Sequence, residues 1–381
     1  MKQRFVPAVV VLTAALAATA GCARSGSDGT AASGKDCTVK IAFFGALTGS
    51  NAALGINVRD GAKLAIDQYN ASRQDTCKIE LDNRDSQGDE KVAPGVADAV
   101  IPDQKIIGVV GPAFSGESKA AAGKLSENGL TMITIATNPS LSTKGWKTFH
   151  RALGNDATQG PAAGRYMQTA LKAEKVFIVD DTSEYGKGLA DEVRKVVKPV
   201  ATGTTSKGQT DFSALISAIK ASSADAVYYG GYYAEAAPFL KQLRGQGVKA
   251  AFVTGDAVKD DKFVEGAGKE AAEGAIITCP CVPPEKSGGT FAADFKKAFG
   301  GEPGTYSAES YDAASIFVAG VKAGKTTRKD MEAFVDAYKG QGVTTTFAFT
   351  ANGEIELSAV AVWAYRVENG RIVAVQEIPK S

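Results

Sequence analysis

The 381-residue chain sets 43 Lys and Arg against 42 Asp and Glu for a net charge of +1, with 44% hydrophobic and 22% charged residues and no basic run. Binding to a polyanion needs a concentrated excess of positive charge, so nucleic acid and a polybasic membrane patch are excluded as partner types. The length exceeds one ordinary core, and at ~100–200 residues per domain it predicts two.

The chain opens with the basic stretch Met1-Lys2-Gln3-Arg4, an apolar run from Phe5 to Ala18, then Thr19-Ala20-Gly21-Cys22 and a Gly/Ser/Ala tail. The apolar run is too short for a membrane span, so residues 1–21 are expected to be a secretory signal peptide. The small-small-Gly-Cys ending resembles the lipobox of bacterial lipoproteins, in which the cysteine becomes the acylated first residue of the mature chain. Thr19 stands where that pattern prefers Leu, and the alternative is a secreted protein in which Cys22 is incidental. Cys22 is therefore the candidate lipidation site. Residues 22–36 cannot bury a core and are expected to be a flexible tether, holding a folded domain outside the cytoplasm on the cell membrane. No later apolar run is long enough for a transmembrane helix.

With Cys22 set aside, Cys37, Cys77, Cys279 and Cys281 form an even set in an oxidising compartment. Cys37 and Cys77 precede the strand-like runs 38–44 and 78–81; if these are parallel neighbours, a Cys37–Cys77 bridge is geometrically natural. Cys279-Pro280-Cys281 has too few thiolates and no nearby His for zinc, so a tight local Cys279–Cys281 disulfide is expected and no metal.

From residue 38 onward, short apolar runs alternate with amphipathic stretches. Strand 39–45 is followed by a Gly-rich loop and a helix carrying Gly61, Ala62, Ala65, Ile66 and Tyr69 on one face. Strand 106–111, helix 118–128 and strand 130–134 repeat the grammar. After Phe149-His150-Arg151 it resumes: helix 158–171, strand 176–180, helices 186–197 and 212–222, strand 226–230, helix 234–246 and strand 251–254. Helices are expected near 291–299, 307–323 and 328–338. Two terminal strands, 360–367 and 371–377, are joined by Glu368-Asn369-Gly370, a hairpin signal. Strands flanked by helices imply parallel sheets covered on both faces, hence two doubly wound α/β units with breaks near 154–157 and 279–284.

Catalytic motifs do not assemble. His150 is the only histidine, lies in a strand-like context without a paired nucleophile, and is read as structural. Gly45-Ala46-Leu47-Thr48-Gly49-Ser50 lacks the Gly-Lys-Ser/Thr ending of a phosphate loop. No cofactor is implied. Polar residues do gather at predicted strand ends, where doubly wound folds bind ligands: Ser115 after one strand, Thr137 after the next, Tyr232 and Asp256 after two later ones. Helix capping by Ser115 and Thr137, and turn chemistry at Tyr232 and Asp256, are the alternative readings.

Gly45-Ala46-Leu47-Thr48-Gly49, the run from Met132 to Pro139, Gly160-Pro161-Ala162-Ala163, Glu184-Tyr185-Gly186-Lys187-Gly188, Asp211-Phe212-Ser213-Ala214-Leu215 and Val227-Tyr228-Tyr229-Gly230-Gly231-Tyr232-Tyr233-Ala234-Glu235 occur in an order that resembles the branched-chain amino acid binding proteins of bacterial ABC importers. The resemblance implies a type I periplasmic-binding fold: α/β, two doubly wound Rossmann-like lobes joined by a three-crossover hinge. Lobe 1 would comprise residues 37–155 with 284–355 and lobe 2 residues 156–283 with 356–381, the third crossing falling near 354–357. Ser115 and Thr137 would grip the ligand's carboxylate and ammonium, with backbone from Ala113 and Ala136. Tyr185 and Tyr232 would close the cleft, and Asp256 would pair with the ammonium. Leu54 and Phe114 would line the side-chain pouch, which a small Ala308 would widen. The Ile135-Ala136 step is one residue shorter than the common family form. The implied protein is a monomer and not an enzyme, and it delivers an aliphatic amino acid to an ABC permease; the alternative is a sensor of the same fold that reports an amino acid or amide to a membrane partner.

Overall fold

The computed structural model describes residues 37–74 and 76–380, together with Met1 and Gln3. Apart from Met1 and Gln3, the expected signal peptide lies outside the described residues, as do Cys22 and residues 23–36 of the tether.

The chain first builds β1 (Thr38–Gly45), α1 (Ala52–Ser72), β2 (Lys78–Asp85), α2 (Ala93–Val100), β3 (Ile106–Val110), α3 (Ser115–Glu127), β4 (Thr131–Thr134) and β5 (Phe149–Arg151). These strands form a parallel sheet of order β2-β1-β3-β4-β5. The Ile-Ile-Gly-Val-Val run of β3 is buried throughout because helices cover both faces of a parallel sheet. Gly108 is the small residue in that run, and a Cβ there would lie 2.4 Å from the Phe317 ring.

The same pattern is then repeated. α4 (Asp156–Thr169), β6 (Val176–Asp180), α5 (Glu184–Arg194), β7 (Ala201–Thr204), α6 (Ser213–Ser222), β8 (Ala226–Gly230), α7 (Tyr233–Gly245), β9 (Ala251–Thr254), α8 (Asp261–Ala267), α9 (Lys269–Ala272) and β10 (Ile276–Cys279) follow. Their parallel strands run β7-β6-β8-β9-β10, the order of the first sheet with β6 in the place of β1. In each sheet the strand order reverses beside the first strand, and such switch points leave a crevice at the carboxyl ends of the strands.

The chain then returns to the first sheet. α10 (Phe291–Phe299), α11 (Ser307–Lys322) and α12 (Arg328–Asp336) follow, with α11 packed along α1 and α12 against β3 and β4. A small hairpin, β11 (Lys339–Gln341) and β12 (Thr346–Ala348), comes next. Finally β13 (Trp363–Glu368) and β14 (Arg371–Glu377) add an antiparallel hairpin to β10 of the second sheet.

Seven elements escaped the sequence reading: α2, β7, the short helices α8 and α9, β10, β11 and β12. α2 has eight residues and opens on Ala-Pro, β7 is a half-exposed edge strand without a long apolar side chain, and β11 and β12 have three residues each. β10 was obscured by the Cys-Pro-Cys that follows it. α3 begins at Ser115 rather than 118, because Glu117 reaches back to the Phe114 N–H at 3.2 Å and starts the helix early.

Cys37 and Cys77 are disulfide-bonded at the start of the β1–β2 pair, their Cα atoms 4.7 Å apart. Cys279 and Cys281 are bonded to each other where β10 leaves its sheet, both buried. His150 lies inside the fold with Nε2 2.8 Å from Asp336 Oδ1, away from the strand ends that form the crevice.

Candidate functional site

The carboxyl ends of β1, β3 and β4 face those of β6, β8 and β9 across a partly open cavity. Its wall is made of Leu54, Val58, Ala113, Phe114, Ser115, Ile135, Ala136, Thr137, Tyr185, Tyr232, Asp256, Ala257 and Tyr306. All nine ligand-binding residues expected from the sequence are among them.

The route to each position is local. β3 is followed by Gly111, whose φ of +121° lets the chain turn sharply over β1; a Cβ there would lie 2.3 Å from the Phe44 carbonyl oxygen. The turn delivers Ala113, Phe114 and Ser115 to the mouth of α3. Ser115 is the first residue of that helix rather than its N-cap, and its hydroxyl accepts from the Asn138 N–H at 3.3 Å. Thr137 ends the loop after β4, and its buried Oγ1 has no hydrogen-bond partner of good geometry. Hydroxyls from the loops after β3 and β4 thus flank the N-terminus of a 13-residue helix, a site suited to a carboxylate.

The backbone contributes differently from the sequence expectation. The Ala113 N–H donates to the Phe44 carbonyl at 3.0 Å and the Ala136 N–H to Thr134 Oγ1 at 3.0 Å. Both residues line the cavity with their donors already engaged in holding the loops. Ala308 is a further correction: it packs with Leu64, Phe291 and Phe295, outside the cavity. α11 starts at Ser307, and the residue before it, Tyr306, takes a left-handed φ of +66° that turns its ring to the site in place of Ala308.

The opposite wall is acidic. Asp256 is buried after β9 and accepts from Tyr185 Oη at 2.8 Å, while the same phenol oxygen accepts from the Ala257 N–H at 3.3 Å. Burial raises the Asp256 pKa, partly opposed by Tyr306, Tyr185 and Gln159. Burial first, and then the Asp256 charge, holds the Tyr185 phenol well above its ordinary range, so it remains a donor.

Asp156, which the sequence reading missed, stands beside this pair at the first turn of α4. It is fully buried, and neither carboxyl oxygen has a hydrogen-bond partner of good geometry. Burial and then the Asp256 charge push its pKa well up, with slight relief from the Thr137 hydroxyl. Its only sequence signal is Asn155-Asp156 at a helix start, since Asn155 caps the Ala157 N–H. Tyr306 and Val58 carried no sequence signal, because nothing local places them near strand ends; Ile135 and Ala257 follow β4 and β9 but are apolar and were not singled out.

Aromatic rings close the space. Tyr232 packs against Phe114 at 5.5 Å and Tyr185 at 5.1 Å between ring centroids, which joins the two walls. Leu54, Val58, Phe114 and Ile135 form an apolar pouch beside the polar end. The Gly-rich loop after β1 is held by Asp85, which accepts from the Leu47 N–H at 2.8 Å and Thr48 Oγ1 at 2.6 Å. Among the described residues no group of His, Cys, Asp and Glu could hold a metal ion.

A model of the family described as periplasmic binding protein matches residues 38–370. The chain belongs to this family. The binding protein is 32% identical over 348 residues to the Leu/Ile/Val-binding protein BraC3 of Rhizobium johnstonii, covering 89% of this chain and 94% of that one. It is 30% identical to the leucine-, isoleucine-, valine-, threonine- and alanine-binding protein of Pseudomonas aeruginosa, over 84% and 87% of the two chains. In fold it is similar to the branched-chain amino acid transporter substrate-binding protein LivJ of Streptococcus pneumoniae, solved with isoleucine, with a TM-score of 0.82 and 28% identity over 89% of this chain and 99% of that one. The resemblance read from the ordered motifs, the two-lobed α/β fold and the reading as a binding protein rather than an enzyme stand on these relations.

Proposed function

We propose that this protein captures a small aliphatic α-amino acid, of the leucine, isoleucine and valine class, between its lobes and hands it to the permease of an ABC importer. The observation that carries this reading is the polarity of the cavity. A helix N-terminus with the Ser115 and Thr137 hydroxyls faces the buried carboxyl of Asp256 across an apolar pouch, with the charge-coupled Asp156 buried outside the lining. An α-amino acid has the matching pattern of carboxylate, ammonium and side chain, and each buried charge meets its complement, without which desolvation is uncompensated. The binding specificities of the relatives support the same class.

In this reading residues 37–155 with 284–355 form one moving lobe and residues 156–283 with 356–381 the other. Closure brings Tyr185, Tyr232 and Asp256 onto a ligand already seated on Ser115 and Thr137. The protein acts as a monomer, tethered outside the cytoplasm through a lipid on Cys22. Titration calorimetry with leucine, isoleucine, valine and, as a polar control, glutamine tests the ligand class; a preference for glutamine would overturn the aliphatic pouch. Cys22→Ser should release the protein from the membrane fraction, and full retention of that variant would end the lipoprotein reading.

A further inference from the structure

Arg151, at the end of β5, is the bulkiest fully buried side chain among the described residues, and it does not line the cavity. Its guanidinium donates through Nη1 to the Ala136 carbonyl and through Nη2 to the Asn138 carbonyl at 2.9 Å. The remaining donors meet Glu354, with Nε 3.0 Å from Oε2 and Nη2 3.0 Å from Oε1. The two carbonyls bracket Thr137. Because C=O and N–H point in opposite directions across a trans peptide, turning the Ala136 carbonyl onto Arg151 aims the Thr137 N–H away from it, toward the cavity that Thr137 lines.

Glu354 is itself fixed. It lies where the chain passes from the first sheet back to the second, and Gly353 before it accepts from the Arg151 N–H at 2.9 Å. Gly353 has φ of +76°, and a Cβ there would stand 1.8 Å from the Phe149 carbonyl oxygen, so this chain crossing lies directly on β5. A planar five-donor fork can hold a carboxylate and two divergent carbonyls at once, which a lysine ammonium cannot do with the same geometry.

We propose that Arg151 is the positioning residue for the carboxylate-binding loop 135–138, and that Glu354 anchors it to the third crossing between the lobes. The arrangement rests on the amino-acid reading above, and it makes the shape of the binding loop depend on the hinge segment. The alternative is a buried ion pair that serves folding alone.

The test uses the full chain with Arg151→Met/Glu354→Met, which removes both charges together and so leaves neither buried alone. Leucine affinity is expected to fall about 10- to 100-fold, through loss of the pre-set loop donors. Leucinamide, with the same ammonium and side chain but no carboxylate, is expected to change less than about threefold. Equal loss for both ligands, or loss for neither, overturns the proposal. Glu354→Gln, a milder change, should move the same ratio in the same direction by a smaller factor. Ligand-free amide exchange gives a second reading: faster exchange at Ala136 and Asn138 with β8 unchanged is expected, and unchanged exchange at both overturns it. If the wild type binds no amino acid, the functional reading falls and the exchange measurement alone decides on Arg151.

Discussion

At the residue scale the decisive chemistry is two carboxyls held where water cannot reach them. Burial raises the pKa of both Asp256 and Asp156, and the Asp256 charge raises that of Asp156 further. A ligand ammonium placed against Asp256 opposes the shift of that residue by supplying a positive charge inside the dry site. Asp256→Asn keeps an acceptor for Tyr185 and deletes the charge, so affinity for an aliphatic amino acid should fall by roughly 2–5 kcal/mol, or about 30-fold to several thousand-fold. The melting temperature should not fall, because the variant relieves repulsion with Asp156. Calorimetry and thermal melts check the pair of outcomes, and unchanged affinity removes Asp256 from the site. A second residue-scale expectation concerns Glu117, fully buried under the first turn of α3, where burial lifts its pKa to about 8 against the opposing bonds from Ser86 and Phe114. A carboxyl whose folded pKa is raised contributes its full stability below its unfolded value and loses it as pH rises through the folded one. The window therefore runs from 4.5 to about 8. Wild type should lose thermal stability across it, and Glu117→Gln should remove that slope across the whole window; melts over a pH series decide the matter, and identical slopes for the two proteins would contradict it.

At the scale of elements, β1, whose carboxyl end faces the crevice, and its neighbour β2 are stapled at their start. The Cys37–Cys77 bridge closes a loop with a sequence separation of 40. Removing it as Cys37→Ala/Cys77→Ala should cost about 4 kcal/mol in the chain-entropy model, read by denaturant titration. Ligand affinity should change little, since the staple lies at the opposite end of the strands from the cavity. α1 and α11 approach closely at Gly61, where a Cβ would lie 2.0 Å from the Ser307 carbonyl oxygen. Gly61→Ala therefore forces that helix pair apart next to Tyr306, and overpacking of this kind costs about 1–3 kcal/mol. A variant with wild-type melting temperature and affinity would show that the contact is not needed.

At the scale of the whole molecule, two sheets of equal strand order face each other, and polar contacts cross the crevice outside the cavity. Lys119 meets Glu184 at 2.7 Å, Lys207 meets Asp89 at 3.1 Å, and Asn138 Nδ2 donates to the Glu184 carbonyl at 2.7 Å. The lysines are largely exposed, and exposed pairs contribute only about 0–1 kcal/mol each. They trim the closed form rather than create it. Lys119→Gln/Lys207→Gln should weaken ligand binding by no more than about tenfold and remove most of its salt dependence. Titrations at low and high salt test this, and a variant as salt-sensitive as wild type would assign the dependence elsewhere.

Much of the architecture was legible in the residues because helical and strand periods are local properties of the chain. The buried runs of β3, β6, β8 and β9 and the Asn-Gly hairpin follow from pattern and turn chemistry alone, and Ser115, Thr137, Tyr232 and Asp256 were findable because strand ends mark the crevice of such folds. What depends on distant segments meeting was not legible. Tyr306 reaches the cavity through a left-handed turn before α11, Asp156 becomes a second acid only because α4 begins beside β9, and Ala308 faces α1 instead of the pouch. The engaged N–H groups of Ala113 and Ala136 and the hold of Arg151 on the binding loop belong to the same class. The sequence by itself determined which elements form and what chemistry sits at their ends, since short-range sterics and hydrophobic period act within a few residues. Tertiary structure alone decided which donors stay free and which carboxyls lose water, because both depend on groups far apart in the chain sharing one dry space.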